Sequence, residues 1–325
     1  MAQQRPPLHG SAGEQEHWSK LRERGDVVGM RFLFGVYRML GRWAFALLLY
    51  PVVAYFWLTA RSARKASQHY LRLVREQLRQ RNERSLEPLT AFSHLMQFAH
   101  AMLDKSAVWS GAFSTDRVEY DDPQFLGRFR DAGRGALFIG SHLGNIEVLR
   151  ACAEVAELKV NALVSTANSP KVNRMVAALS PQALENLIQI DSLGPDSIVK
   201  LQDKIRAGEH VAIAADRVSV RHTERSIRVP FLGQPAPFPE GPFILASLLA
   251  CPVYLIFCLR IGEKYKVFFE PFADPLDLPR AQRRAALERT VARYAQRLEA
   301  HCLLAPTQWF NFFDFWGKAD GESAD

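Results

Sequence analysis

The sequence predicts an α/β fold, a mostly parallel central sheet flanked by helices, preceded by N-terminal membrane-attachment helices. Three observations carry this expectation. From Gly135 onward, short apolar runs rich in β-branched residues recur: ALFIG, VNALVS, LIQI, HVAIAAD and VYLIFCLR. Helix-like stretches at 144–156, 169–178, 195–207 and 240–250 separate most of them, and that alternation stacks parallel strands beneath crossover helices. Upstream, eighteen uncharged residues from Trp43 to Ala60 lie between clusters of arginine.

Taken in order, residues 1–25 are polar, rich in mixed charge, and read as a tail too long and polar for the start of a cleaved signal peptide. Residues 26–85 form a basic helical region. Between Arg31 and Arg84 eleven Arg and Lys face only Glu76 and Glu83, so this segment holds the whole excess of the +7 chain. The apolar run within it is near the lower limit of a membrane span, which needs roughly 20 residues, and Pro51 would kink it. Arg31, Arg38 and Arg42 precede the run, Arg61, Arg64 and Lys65 follow it, and Trp43, Tyr50, Tyr55 and Trp57 supply rings suited to a headgroup layer. This pattern fits an anionic membrane surface and argues against nucleic acid, for which the chain carries no binding motif. Stretches 62–83 and 86–104 read as amphipathic helices, and KYKVFFEP as an outer strand. A last helix over about 280–304 carries Leu287, Val291, Tyr294, Leu298 and Cys302 on one stripe. The main α/β domain is expected over 86–316, followed by a polar tail at 317–325. The four cysteines form no paired motif, so neither a disulfide framework nor a metal site is expected.

The chemistry concentrates in FIGSHLGNIEVLR, where a strand gives way to a helix. In α/β folds functional side chains gather just past the carboxyl ends of strands. His142 and Glu147 can meet only if His142 sits in the turn and Glu147 in the first turns of the helix, since positions i and i+5 lie about 140° apart on a helix. Gly140 and Gly144 permit such a turn. A neutral imidazole held by a carboxylate is what a general base requires. Equally, His142 could cap the helix while Glu147 lies at the surface. Ser141 is a candidate nucleophile without the G-x-S-x-G context, and neither phosphate-loop nor dinucleotide glycine motifs are present.

SHLGNIE resembles the H-x-x-x-x-[DE] block of the lysophospholipid acyltransferase superfamily, in the form seen in late acyltransferases of lipid A biosynthesis. Further segments agree in order: AADRVSV with the Asp-containing strand end, VPFLGQPAPFPEGPFILA with the F-F-G-x-P-A … G-P block, CPVYLIFCLR with an apolar strand ending in Arg, and PTQWFNFFDFW with the terminal P-x-Q-W. The resemblance spans about 25 to 316. Aromatic residues and Asp314 follow Trp309 where the lipid A enzymes continue with basic residues, and Arg217 follows Asp216 where Gln is common. The pattern is most similar to a predicted acyltransferase branch associated with aryl polyene lipid pathways.

The resemblance implies a glycerolipid acyltransferase-like fold and transfer of a fatty acyl group from an acyl thioester, on acyl carrier protein or coenzyme A, to a hydroxyl or amine of a lipid or glycolipid. His142 would be the base and Glu147 its orienting partner. Asn145, Arg174, Asp216, Arg217, Gly233 and Gly241 would contact substrates, with no cofactor beyond the thioester co-substrate. The implied location is the cytoplasmic face of a bacterial inner membrane. The acyl chain would need an apolar groove, for which Phe231, Phe238, Phe243 and the aromatic run from Trp309 to Trp316 are the available walls. Rival readings are a non-catalytic membrane-attached scaffold, against which the His and Glu argue, and a glycosyltransferase, against which the lack of a D-x-D segment argues.

Overall fold

The computed structural model of the chain describes residues 47–85, 87–109, 111–164, 186–190, 194–218 and 224–317. The expected tail at 1–25, the helix at 169–178 with Arg174, and the basic residues preceding the apolar run lie outside the described residues.

A seven-stranded sheet forms the centre, in the order β1-β9-β8-β2-β5-β3-β4. Its strands are β1 (Val118–Tyr120), β2 (Leu137–Gly140), β3 (Val160–Val164), β4 (Leu187–Gln189), β5 (His210–Ala214), β8 (Val253–Ile261) and β9 (Lys264–Ala273). Strands β8, β2, β5, β3 and β4 run parallel, and β9 returns antiparallel to β8 through a tight hairpin. The expected parallel α/β architecture is therefore present. One detail differs: KYKVFFEP lies in β9, but β1 pairs outside it and takes the edge. Three residues are too few to announce a strand by alternation.

The helices cover both faces of the sheet, as strands apolar on both sides require. Along β2, Leu137 and Ile139 point into the main core, whereas Phe138 points into an aromatic cluster with Phe125, Phe129 and Tyr254. A first helix at 47–59 (α1) precedes α2 (Arg61–Gln80) and α3 (Ala91–Trp109). Helices α4 (Phe125–Asp131) and α5 (Ile146–Val155) follow, then α6 (Pro195–Arg206), α7 (Gly241–Leu249) and α8 (Arg283–Leu304). Helices α2, α6, α7 and α8 feed the main core, while α4, α5 and the end of α3 pack on the opposite face. The apolar stripe expected on α8 is buried along its length.

The Gly/Pro block at 229–246 is the main surprise. Its first part is a two-stranded antiparallel ribbon, β6 (Ser226–Phe231) and β7 (Gln234–Pro239). Four prolines hide an alternation in which Ile227, Val229, Phe231, Ala236 and Phe238 all point inward. Leu232 and Gly233 both take positive φ, 51° and 79°, as a two-residue hairpin turn demands. A Cβ on Gly233 would lie 2.7 Å from Gln77 Nε2, so this glycine seats the turn against α2. Gly241 opens α7, with Pro242 behind it and Glu240 paired to Arg284 at 2.5 Å.

On α1, Leu49 and Val53 pack against Met96 and Leu103 of α3. The opposite side leaves Leu47, Leu48, Tyr50, Pro51, Tyr55 and Leu58 exposed. Among the described residues no helix is long and apolar enough to cross a membrane.

Candidate active site

Strands β2 and β5 are neighbours in parallel register, with Gly140 opposite Ala214. Two residues beyond each strand end stand His142 and Asp216, and the register brings them together. His142 Nδ1 lies 2.8 Å from Asp216 Oδ1, and the His142 backbone N–H donates to Asp216 Oδ2 at 2.9 Å. Asp216 is 0% exposed, whereas the His142 side chain is 33% exposed. Burial alone would raise the Asp216 carboxyl, but the charges and hydrogen bonds of His142, together with the Arg217 charge, hold it at about 2. Burial pushes the His142 imidazole below its ordinary value, Arg217 and Lys105 push the same way, and Asp216 opposes them. With Asp216 ionised, Nδ1 must carry the proton, so Nε2 keeps its lone pair.

The carboxylate that holds the ring is thus Asp216. Glu147 is the second residue of α5, as the turn geometry requires, but its Oε2 accepts from Trp109 Nε1 at 2.9 Å and from Arg150 Nε at 3.0 Å. It ties α5 to the end of α3. Asp216, for which the sequence suggested a substrate contact, is sealed from solvent and accepts two further bonds, from Trp309 Nε1 at 2.9 Å and Asn311 Nδ2 at 3.2 Å.

The remaining expected residues divide. Asn145 is buried and caps α5, accepting from the Glu147 N–H and donating to the Ala101 carbonyl. Arg217 donates to Asn311 Oδ1 at 2.7 Å and the Phe310 carbonyl at 3.0 Å, clasping the C-terminal segment beside the site. Gly233 and Gly241 serve the ribbon turn and the α7 start described above, and Arg174 lies outside the described residues. Ser141 is buried, with its oxygen taking the Leu143 N–H.

Gly144 makes the turn. It adopts φ +78°, and a Cβ there would fall 1.9 Å from the Cys258 carbonyl oxygen. The segment after α8 then pairs with the turn: Phe310 N–H donates to the His142 carbonyl at 3.0 Å, and Gly144 N–H to the Gln308 carbonyl at 2.9 Å. The Gln308 side chain bonds both the N–H and the C=O of Arg260 on β8. Behind Trp309 lies a buried relay that sequence reasoning missed. Trp309 C=O accepts from His94 Nε2 at 2.9 Å, so His94 Nδ1 must accept from Ser67 Oγ, also at 2.9 Å. Helices α2 and α3 are thereby tied to Asp216 through one tryptophan. A small hollow adjoins the turn, with Gln97, His100, Arg260, Tyr265 and Phe310 on its walls.

Of the aromatic residues proposed as groove walls, Phe231, Phe238 and Phe243 are fully buried in the core, so they line no open groove. Trp309, Phe315 and Trp316 are buried with them. Phe310, Phe312 and Phe313 stay half-buried, and Phe98 on α3 packs edge-on against Phe310 and Phe312, both at 5.4 Å.

A histidine held by a buried carboxylate at the carboxyl edge of an α/β sheet has the geometry of a general base for acyl transfer or hydrolysis. Residues 89–318 match the family described as bacterial lipid A biosynthesis acyltransferase, and the chain belongs to that family. It is therefore an acyltransferase, acting in general terms on an acyl donor and a lipid acceptor. No curated protein matches the chain.

Proposed function

We propose that the protein transfers a fatty acyl group from a thioester directly to a hydroxyl or amine of a lipid, with His142 Nε2 as the general base. The observation that supports this most is the His142–Asp216 contact at 2.8 Å, between a partly exposed ring and a wholly buried carboxylate. The acceptor gives its proton to Nε2 as its oxygen or nitrogen attacks the thioester carbonyl. Asp216 stabilises the imidazolium so formed and fixes the tautomer. Collapse of the tetrahedral intermediate expels the thiolate, which takes the proton back from Nε2. No covalent acyl-enzyme is needed, and the buried Ser141 is not presented for one.

The donor is an acyl carrier protein or coenzyme A thioester, and the half-buried Phe98, Phe310 and Phe312 offer the acyl chain an apolar wall beside His142. The exposed apolar side of α1, followed by Arg61, Arg64 and Lys65, favours attachment to an anionic membrane. The departures after Trp309 favour an acceptor other than the one used by lipid A late acyltransferases, in line with the aryl polyene resemblance.

The test is mass spectrometry of lipids from cells with and without the protein. One lipid should gain an acyl mass only when the wild-type chain is present, and His142→Ala should abolish that gain. A full gain with His142→Ala would remove the mechanism.

A further inference from the structure

A thioester attacked at its carbonyl carbon needs a partner for the oxygen that becomes negative. The usual local donors are already committed. The His142 N–H goes to Asp216, the Leu143 N–H to Ser141, the Gly144 N–H to Gln308 and the Asn145 N–H to Cys258. The Asn145 amide donates to Ala101 and Tyr265, and Arg217 clasps Asn311 and Phe310. Among the described residues, Lys105 is a cation near the base that makes no hydrogen bond or ion pair.

Lys105 lies on α3 exactly one i+4 step from both Ala101 and Trp109, so the three share a face. The two flanking residues point that face at the active-site turn: the Ala101 carbonyl holds Asn145, and Trp109 Nε1 holds Glu147. The half-buried Lys105 amine is coupled by charge to Glu147, Arg217 and His142. Burial lowers its proton affinity, and Glu147 opposes that by favouring the ammonium form. This also gives the motif glutamate a task consistent with its position: it holds charge on the lysine while Asp216 holds the ring.

We propose that Lys105 is a catalytic residue whose ammonium group pairs with the thioester oxyanion. The inference rests on the acyl-transfer reading above. As the acceptor loses its proton to Nε2 and bonds to the carbonyl carbon, the C=O π pair moves to oxygen, next to the ammonium. When the C=O bond re-forms, the C–S bond breaks and the thiolate leaves with the proton held by Nε2. Lys105 keeps all its protons throughout.

The experiment compares wild type with Lys105→Met, Lys105→Gln, Lys105→Arg and His142→Ala. Acylated lipid is measured by mass spectrometry in cells, and kcat and KM in detergent with dodecanoyl-coenzyme A and dodecanoyl-carrier protein as donors and the cells' lipid extract as acceptor. Both neutral variants should lose roughly 10²–10³-fold in kcat, as loss of one oxyanion donor does elsewhere, with KM little changed. Lys105→Arg should recover at least about tenfold of that loss, which a merely structural lysine would not require. Folding is checked by the thermal midpoint of each variant; if Met unfolds the protein, Gln and Arg carry the comparison. Neutral variants with wild-type kcat beside an inactive His142→Ala would overturn the role of Lys105 alone, as would an effect confined to KM. An active His142→Ala, or a wild type that acylates nothing, would overturn the parent reading and Lys105 with it.

Discussion

Asp216 collects four hydrogen bonds from three residues while excluded from water. A carboxylate so engaged orients a base and cannot also meet substrate. Asp216→Asn should keep the shape and lose the ionised acceptor, lowering kcat roughly 10²–10⁴-fold in the acyl-transfer assay. Glu147→Gln should cost less, because it hydrogen-bonds Trp109 and Arg150 and bears on the site only through the charge of Lys105; a loss larger than that of Asp216→Asn would return the orienting role to Glu147. The pH profile gives a second check. In the proposed mechanism His142 acts unprotonated, and its pKa is lowered from the ordinary 6.5, first by burial and then by Arg217. The acid limb of kcat/KM should therefore have its midpoint below pH 6.5. A midpoint above 6.5 would mean that Asp216 outweighs burial.

At the scale of elements, the turn between β2 and α5 depends on Gly144. The left-handed backbone alone costs a non-glycine residue about 1–3 kcal/mol, and the 1.9 Å approach to the Cys258 carbonyl forces β8 or the turn to shift. Gly144→Ala should lower the thermal midpoint and abolish activity together, and unchanged melting would show that the turn relaxes freely. The α2–α3–Trp309 relay adds an acid-sensitive joint. Burial lowers the His94 pKa to about 4, against an ordinary 6.5. The unfolded chain therefore binds the extra proton first as pH falls, and stability declines between about 6.5 and 4, by roughly 3 kcal/mol from this residue. The buried His210, also lowered to about 4, titrates in the same window and the same direction. Thermal midpoints recorded from pH 7 to pH 4 should fall accordingly, and His94→Gln should flatten the slope.

For the molecule as a whole, α1 stands out among the described elements for its exposed apolar side. Tyr55 and Leu58 are each 61% exposed, and Leu47, Leu48 and Tyr50 add to the same surface. If this side meets lipid, replacing Leu47, Tyr55 and Leu58 by Gln should weaken sedimentation with anionic phosphatidylglycerol vesicles while preserving the fold, because Leu49 and Val53 still hold α1 to α3. Unchanged vesicle binding would exclude this face as the attachment surface. The main core should be insensitive to that change. It is built from α2, the sheet, the β6–β7 ribbon, α8 and the C-terminal aromatic residues in one continuous cluster. A truncation inside it, such as Leu298→Ala on α8, should cost about 2–5 kcal/mol.

Local pattern alone was enough for the parallel strands, the long helices, and the turn carrying His142 and Glu147, because each rests on apolar periodicity or on glycine within a few residues. The ribbon was harder to read because prolines interrupt its alternation, and β1 because it is only three residues long. The pairing of His142 with Asp216 spans 74 residues and arises from the parallel register of β2 and β5. The seating of Trp309 between His94 and Asp216 likewise depends on the chain returning after α8. Sequence spacing measures distance along one element, so it drew attention to the carboxylate five positions away. The carboxylate in contact with the ring lies on the neighbouring strand, and only the packed sheet could select it.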